Sequence, residues 1–496
     1  MGIKKYFASK DNTITNAFKD NLSTRATGSN MGVSDILEAF VIHGQTSASI
    51  AAANAEQSRI LIQFPVSSIS ADMSDGTLPS STGSIQFYLN LYNAPHGSTL
   101  PEDFNLDVCM LSQSWSEGRG LDMDNYSDIG SSNWVKNSSG SFWGNEGGSF
   151  LTGSNSSGSA YFPTGVESMS LNVSEQVYKW LGDCCENYGF LLKFPDSVVS
   201  GSDTMYTKKF FARSSEFYFY RPVVEARWDS SRKDNRGSFF VSSSNATAAN
   251  NLNTLYMYNI IRGQLANIPN LTGNGILLEL YSGSAGPAGS TLDVLSAAGA
   301  GVTAISGGLL SENGITHTGI YTASFASPAT LDPVFDVWYT GGEGSRIEFF
   351  TGSYTPERVQ TSEVFYDMQY ISSITNLHDS YIQGQKPQLR VFARNKDWSP
   401  NIYTVATKKI VPEIIEDAYY RVIRTIDNLE IIPFGTGSSI NNFTRLSYDV
   451  SGNYFDLDTS YLEPGYSYGI QFAYYLQGAY RQQTELFKFR IEEEEV

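Results

Sequence analysis

The stretch Ile85-Gln86-Phe87-Tyr88-Leu89-Asn90-Leu91 decides the fold class. Successive side chains of an extended strand point to opposite sides, so Ile85, Phe87, Leu89 and Leu91 share one face. Helical spacing would scatter the same four residues around a cylinder. Working outward, the pattern recurs. Tyr466, Tyr468, Ile470, Phe472 and Tyr474 form a second stripe. Phe487, Phe489 and Ile491 form a third, alternating with Lys488 and Arg490. Shorter runs at Arg59–Phe64, Phe217–Tyr220, Gly275–Tyr281, Arg346–Thr351, Gln388–Ala393 and Tyr419–Ile423 read the same way, and Gly, Asn, Asp and Ser clusters separate them.

Many short strands joined by turn-rich connections predict an all-β chain of serial β-sandwiches. Composition agrees: 30 Tyr and 29 Phe suit pleated, half-buried surfaces, and 44 Gly supply turns. One helix is expected, with Ser174 as its cap, Val177, Trp180 and Leu181 as its buried stripe and Gly182 as its stop.

The 496 residues suggest about three domains. The charged tract Asp229–Gly237 reads as a strand-free bridge and marks one edge; Gly352–Gln360, interrupted by Pro356, marks another. The expected division is therefore 1–230, 237–355 and 356–496, with Ser282–Gly308 a flexible or weakly patterned part of the middle domain.

A formal charge of −18 argues against nucleic acid as a partner, because phosphate binding needs clustered cations. No run approaches the roughly 18 apolar residues of a membrane span. Met1–Ala8 lacks the apolar core of a secretory signal, which predicts synthesis and folding in a cytoplasm. Cys109, Cys184 and Cys185 offer no disulfide framework and fit free thiols.

The candidate chemistry is sparse. Asp122, Asp124 and Asp128 place three carboxylates in one loop, at the alternation that calcium coordination uses. The loop lacks the glycine and closing glutamate of an EF-hand, so a solvated acidic loop is the alternative. Asp456 and Asp458 are a second alternating pair. Trp115, Trp134 and Trp143, with Tyr126 and Phe142, occupy one loop-rich tract, which includes the Asp122–Asp128 loop. Such rings can stack on sugars, anchor a subunit contact, or plug a core beneath long loops. His43, His96, His317 and His378 lack metal-ligand spacing, and no phosphate loop, nucleophile elbow or zinc-protease motif is present. The expectation is a non-enzymatic chain with no cofactor beyond calcium.

Two resemblances bear on function. Lys10–Ile14, Arg59–Phe64 with Pro65–Ile69, Ile85–Tyr92, Ser114–Gly118, Asn133-Trp134, Tyr178–Leu181, Tyr188–Phe194, Phe211–Glu216 and Pro222–Trp228 occur in the order seen in DNRLRE-type, carbohydrate-binding-module-like domains. The first domain resembles that family, which implies a jelly-roll sandwich; Gly118–Ser159 is longer than its pattern. Arg394–Asn401, Ala418–Val422, Leu446–Asp449, Gly452–Leu457, Leu462–Tyr466 and Phe487–Arg490 resemble the immunoglobulin-like ending of tailed-bacteriophage virion proteins. Together the resemblances imply a virion structural protein of the neck, collar, tail, baseplate or fibre attachment, partnered by other virion proteins and copies of itself. The alternative they leave open is an adhesin that binds host-surface glycan.

Overall fold

A computed structural model describes residues 2–43, 55–80, 83–95, 101–122, 130–182, 184–200, 205–232, 234–236, 241–262, 264–271, 275–282, 290–312, 315–327, 334–342, 344–354, 370–399, 412–435, 443–476 and 478–493. The chain is all-β and divides into two compact units, Ile3–Trp228 and Asp229–Val496, the latter joined by Met1–Gly2. No helix among the described residues is long and apolar enough to cross a membrane.

The first unit holds β1 (Ile3–Phe7), β2 (Lys10–Thr15), β3 (Ile36–Ile42), β4 (Glu56–Gln63), β5 (Ile85–Leu91), β6 (Phe104–Met110), β7 (Lys136–Ser138), β8 (Ser141–Phe142), β9 (Ser157–Phe162), β10 (Met169–Asn172), β11 (Phe190–Lys193), β12 (Met205–Phe211) and β13 (Val223–Trp228). One antiparallel sheet runs β1-β13-β5-β10, so the first and last strands pair. The other runs β12-β3-β4-β11-β6-β9, with β2 also on β4. Ile85, Phe87, Leu89 and Leu91 all face the core between the sheets, as their spacing requires.

The unbroken apolar runs of β4 and β11 have a separate cause: both faces of these strands are buried. Ile60, Ile62, Phe190 and Leu192 point into the main core, whereas Leu61 and Leu191 point outward under a second cluster. Helix α1 (Val66–Ser74) was not foreseen, and α2 (Ser174–Leu181) was. Ser174 is not the cap of α2. Its hydroxyl accepts the Phe87 amide at 2.8 Å, and Val173 holds the capping position. Val177 and Trp180 enter the core as their spacing predicts. A short α3 covers Asp196–Val199.

The second unit opens with β14 (Asn253–Tyr258), the hairpin β15 (Ile260–Ile261) and β16 (Gln264–Leu265), and β17 (Ile276–Ser282). A second hairpin, β18 (Val294–Leu295) and β19 (Gly301–Val302), is followed by β20 (Ala304–Glu312), β21 (Ile315–Phe325), β22 (Val334–Thr340) and β23 (Ile347–Tyr354). Apart from the hairpins these form one six-stranded antiparallel sheet, β14-β21-β20-β17-β22-β23. The weakly patterned tract after Ser282 thus contains a hairpin and the start of β20.

Next come β24 (Tyr370–Ile374), β25 (Ser380–Ile382), β26 (Gln388–Asn395), β27 (Ala418–Arg424), β28 (Leu429–Ile432), β29 (Ser447–Asp449), β30 (Gly452–Asp456), β31 (Ser467–Leu476), β32 (Ala479–Gln482) and β33 (Phe487–Glu492). Sheet β24-β26-β30-β29 faces sheet β25-β33-β31-β27-β28, and β25 pairs with the last strand in parallel. This is immunoglobulin-like connectivity, with the entry strand split between the two sheets. Phe455 stacks on Tyr420 across the sandwich at 4.3 Å. Tyr468, near the start of β31, accepts the Glu463 amide at 2.8 Å and donates to the Glu463 carbonyl at 2.9 Å. That is the tyrosine corner of such sandwiches.

Asp229–Gly237 is strand-free among its described residues, yet it is largely unexposed. Among its described residues, Arg232, Asp234 and Arg236 are buried. The Tyr448 amide donates to the Arg232 carbonyl at 3.3 Å, and the Asp234 amide donates to the Tyr448 carbonyl at 3.1 Å. On its other side the Asn235 amide donates to the Thr254 carbonyl at 2.9 Å. The segment therefore bonds to β29 of the sandwich and β14 of the six-stranded sheet at once.

Candidate functional site

The three tryptophans of the long loop tract lie inside the first unit. Trp115, Trp134 and Trp143 are each no more than 5% exposed and pack with Ile14, Leu61, Leu111 and Leu191 against the outer face of the large sheet. Both indole nitrogens that need partners in this dry setting have them. Trp115 donates to the Tyr188 carbonyl at 2.9 Å, and Trp143 donates to the Asn133 carbonyl at 2.8 Å. Arg59 lies 5.0 Å over the Trp134 ring and donates to the Gly147 carbonyl at 3.0 Å. Gly147 has φ +81°, and a Cβ there would come within 2.8 Å of Trp134, so the loop needs glycine to cross the ring. These rings offer no free face to a sugar. The reading of Trp115, Trp134 and Trp143 as a ligand or interface platform is corrected to a plug beneath loops.

Tyr126, Asp124 and Asp128 lie outside the described residues, as does His96. Asp122 is half-buried. Among the described residues no group of three or more His, Cys, Asp or Glu is placed to hold a metal ion. Asp458 accepts the Ser460 amide at 3.0 Å and pairs with Lys386 at 2.9 Å, so it caps a turn. Glu117 is committed: Arg213 donates to both its oxygens at 2.9 Å, and the Asp11 amide donates to it at 2.9 Å. Burial pushes the Asp11 carboxyl up to about 6, against the pull of Arg213. Cys109 is buried, which pushes its thiol up to about 11 and away from the reactive thiolate.

What the pattern missed is an exposed aromatic patch on the first unit. Phe217-Tyr218-Phe219-Tyr220 is not a strand but a single 3₁₀ turn, held by the Ser215 hydroxyl accepting the Phe217 amide at 3.2 Å and by the Tyr220 amide donating to the Phe217 carbonyl at 3.0 Å. Four successive aromatics cannot all face one core, and here Phe217 and Tyr218 are exposed while Phe219 and Tyr220 are half-buried. Phe217 is 50% exposed and Tyr218 is 43% exposed. The rings are braced from below: Phe211 stacks on Tyr220 at 5.0 Å and meets Phe217 at 5.6 Å, and Phe7 meets Tyr218 at 4.8 Å. Arg221 sits 5.7 Å over Tyr218 and donates to the Ser215 carbonyl at 2.8 Å. The result is a preorganised surface of rigid rings, of the residue types that dominate protein contacts.

The second unit contributes a different surface. β23 is the terminal strand of its sheet, and its side chains are mostly exposed, with Ile347 60% and Phe350 43% exposed. Natural edges are commonly blunted by charges, proline or bulges; β23 carries no lysine or proline, but it does carry Glu348 and a bulge at Phe349. Its charge is neutralised locally, with Arg346 donating to Glu348 at 3.0 Å and to Glu279 at 2.6 Å.

No family model matches the chain, and no curated protein matches it. Among solved structures, the FN1–FN3 domains of chicken CNTN1 are similar over 62% of this chain and 82% of that chain, at 9% identity and a TM-score of 0.14. A likeness at that level carries no argument, so the immunoglobulin-like assignment rests on strand order and the tyrosine corner.

Proposed function

We propose that this chain is a non-enzymatic structural component of a tailed-phage virion, in the neck, collar, tail, baseplate or fibre attachment, and that it works through contacts with copies of itself and with other virion proteins. The observation that carries the reading is the patch of Phe217, Tyr218 and their bracing rings. Large, rigid aromatics held ready at a surface bury much area on contact while losing little side-chain freedom. The β23 edge, which no strand among the described residues covers, supports the same reading, because such an edge can accept a strand from a neighbour through main-chain hydrogen bonds. The serial sandwiches and the two sequence resemblances supply the phage context.

The test is mass spectrometry of purified particles from a phage that encodes the chain, paired with the double variant Phe217→Ser/Tyr218→Ser. The expected result is that the native chain is found in particles and the variant folds but is depleted from them. Absence of the native chain from particles refutes the proposal. Undiminished incorporation of the variant would remove the aromatic patch from it. Binding of the isolated chain to a host polysaccharide would favour the glycan-binding adhesin instead.

A further inference from the structure

We propose that Arg232, Asp234, Asn235 and Arg236 act as a strap that fuses the six-stranded sheet and the immunoglobulin-like sandwich into one cooperative body, which comes apart only when the strap leaves. The main-chain bonds to Tyr448 on one side and Thr254 on the other make the strap a shared extra rung, covering the edges of both β14 and β29. The side chains then reach deeper in both directions.

Toward the six-stranded sheet, Arg236 donates to Asp234 at 2.5 Å, to Asp336 at 2.6 Å and to the Tyr256 carbonyl at 2.9 Å. Asp336 is fully buried in β22 and also accepts the Trp338 indole at 2.9 Å. Toward the sandwich, the Arg232 amide donates to the Ser447 hydroxyl at 2.5 Å. The Arg232 guanidinium meets His317 at 2.7 Å and lies 3.8 Å from Glu312, both on the sheet side, and 3.7 Å from Asp456 at the end of β30. Tyr258 and Tyr454 bond hydroxyl to hydroxyl across the same seam.

Withdrawing the strap would strand Asp336, the Ser447 hydroxyl and two open strand edges together. Buried charges tolerate such loss poorly, because each was desolvated only in company with its partner. Either half opening alone must therefore break the contacts of the other, which is the condition for a single transition.

The experiment uses the full chain and Arg236→Met, which keeps the apolar stem and removes the fork. Differential scanning calorimetry of the native chain should give two transitions, one per compact unit. Arg236→Met should split the second, giving three. Three transitions in the native chain, or two in the variant, overturn the strap. Native-state hydrogen exchange settles the matter if the variant does not fold. The amides of Asn235, Tyr448 and the β14 strand should then exchange in the native chain within about threefold of one another, as one shared opening requires. A larger spread between β14 and β29 overturns the proposal.

Discussion

Replacing Trp143 by alanine separates a core plug from a binding platform more sharply than any other change. The indole is 5% exposed and sits among Trp115, Trp134 and the outward leucines Leu61 and Leu191. Truncating a buried tryptophan to alanine costs about 3–5 kcal/mol in lost burial and residual cavity. The change also strips the Asn133 carbonyl of its 2.8 Å indole donor, and an unsatisfied buried acceptor adds about 1–3 kcal/mol. Taking about 4 kcal/mol as a lower working value, and about 2–4 °C per kcal/mol for a unit of this size, the first unit should melt about 8–16 °C lower. Trp143→Phe keeps most of the buried area and loses the hydrogen bond, so it should fall by about 2–12 °C. Calorimetry on the full chain reads both, with the second unit's transition as an internal control that should not move. A fall of less than about 2 °C for Trp143→Ala would refute the burial argument. If the same variant lost binding to a glycan array, the ring would be a platform after all.

Two further outcomes follow from the second unit and from buried carboxyls. Tyr468→Phe removes the hydroxyl that serves both polar groups of Glu463, so the second unit should lose about 1–3 kcal/mol, while the first unit's melting stays fixed. For pH, burial pushes both Asp11 and Asp234 up to about 6, with Arg213 and Arg236 respectively pulling the other way. The folded state therefore binds more protons than the unfolded chain between about pH 4 and 6, and the stability these groups contribute is lost as pH rises through 6. Below that window the sign reverses: burial pushes Glu225 upward, yet Lys5 and Arg227 hold it below the usual carboxylate range, and Arg424 does the same for Asp427. Thermal melts should show the first unit more stable at pH 5 than at pH 7.5, by about 1 kcal/mol for Asp11, with a decline below pH 4. In the second unit burial and Arg232 hold His317 down to about 4, and the unfolded chain's histidine takes up its proton first, which opposes Asp234. A flat profile for the first unit from pH 7.5 to 5 would contradict the raised Asp11 carboxyl.

Strands were readable from spacing alone: Phe487–Ile491 alternate because only one side is buried, and Ile85–Leu91 alternate although Asn90, on the second side, is buried too. Leu61 and Leu191 were readable as strand residues but not as floor for a second cluster, since the tryptophans that cover them come from loops distant in sequence. The tryptophans of a Gly/Ser/Asn-rich tract left sugar stacking, a subunit contact and a core plug open; the plug holds because the rings are buried and Trp115 and Trp143 each donate to a main-chain carbonyl. The opposite error fell on Phe217–Tyr220, where aromatic β-propensity argued for a strand. The signal against it was the absence of any polar alternation, with Pro222 just beyond. At Asp229–Gly237, charge density marked a strand-free bridge, but Arg232, Asp234 and Arg236 are buried against Asp336, Glu312 and Asp456, which no local reading could place nearby. The immunoglobulin-like ending was expected from a resemblance rather than from strand spacing, and the Tyr468 corner was hidden inside a run of tyrosines.

The parallel pairing of β25 with β33 has a mechanical consequence. Ser380, Tyr381 and Ile382 lie beside Arg490, Ile491 and Glu492, one strand near the entry of the domain and the other at its exit. Tension applied between those two ends drags the strands past each other along their length. All the rungs between them then stretch at once instead of peeling open one after another. A domain threaded in this way resists extension better than one whose end strands peel apart, a useful property for any part that transmits a pull.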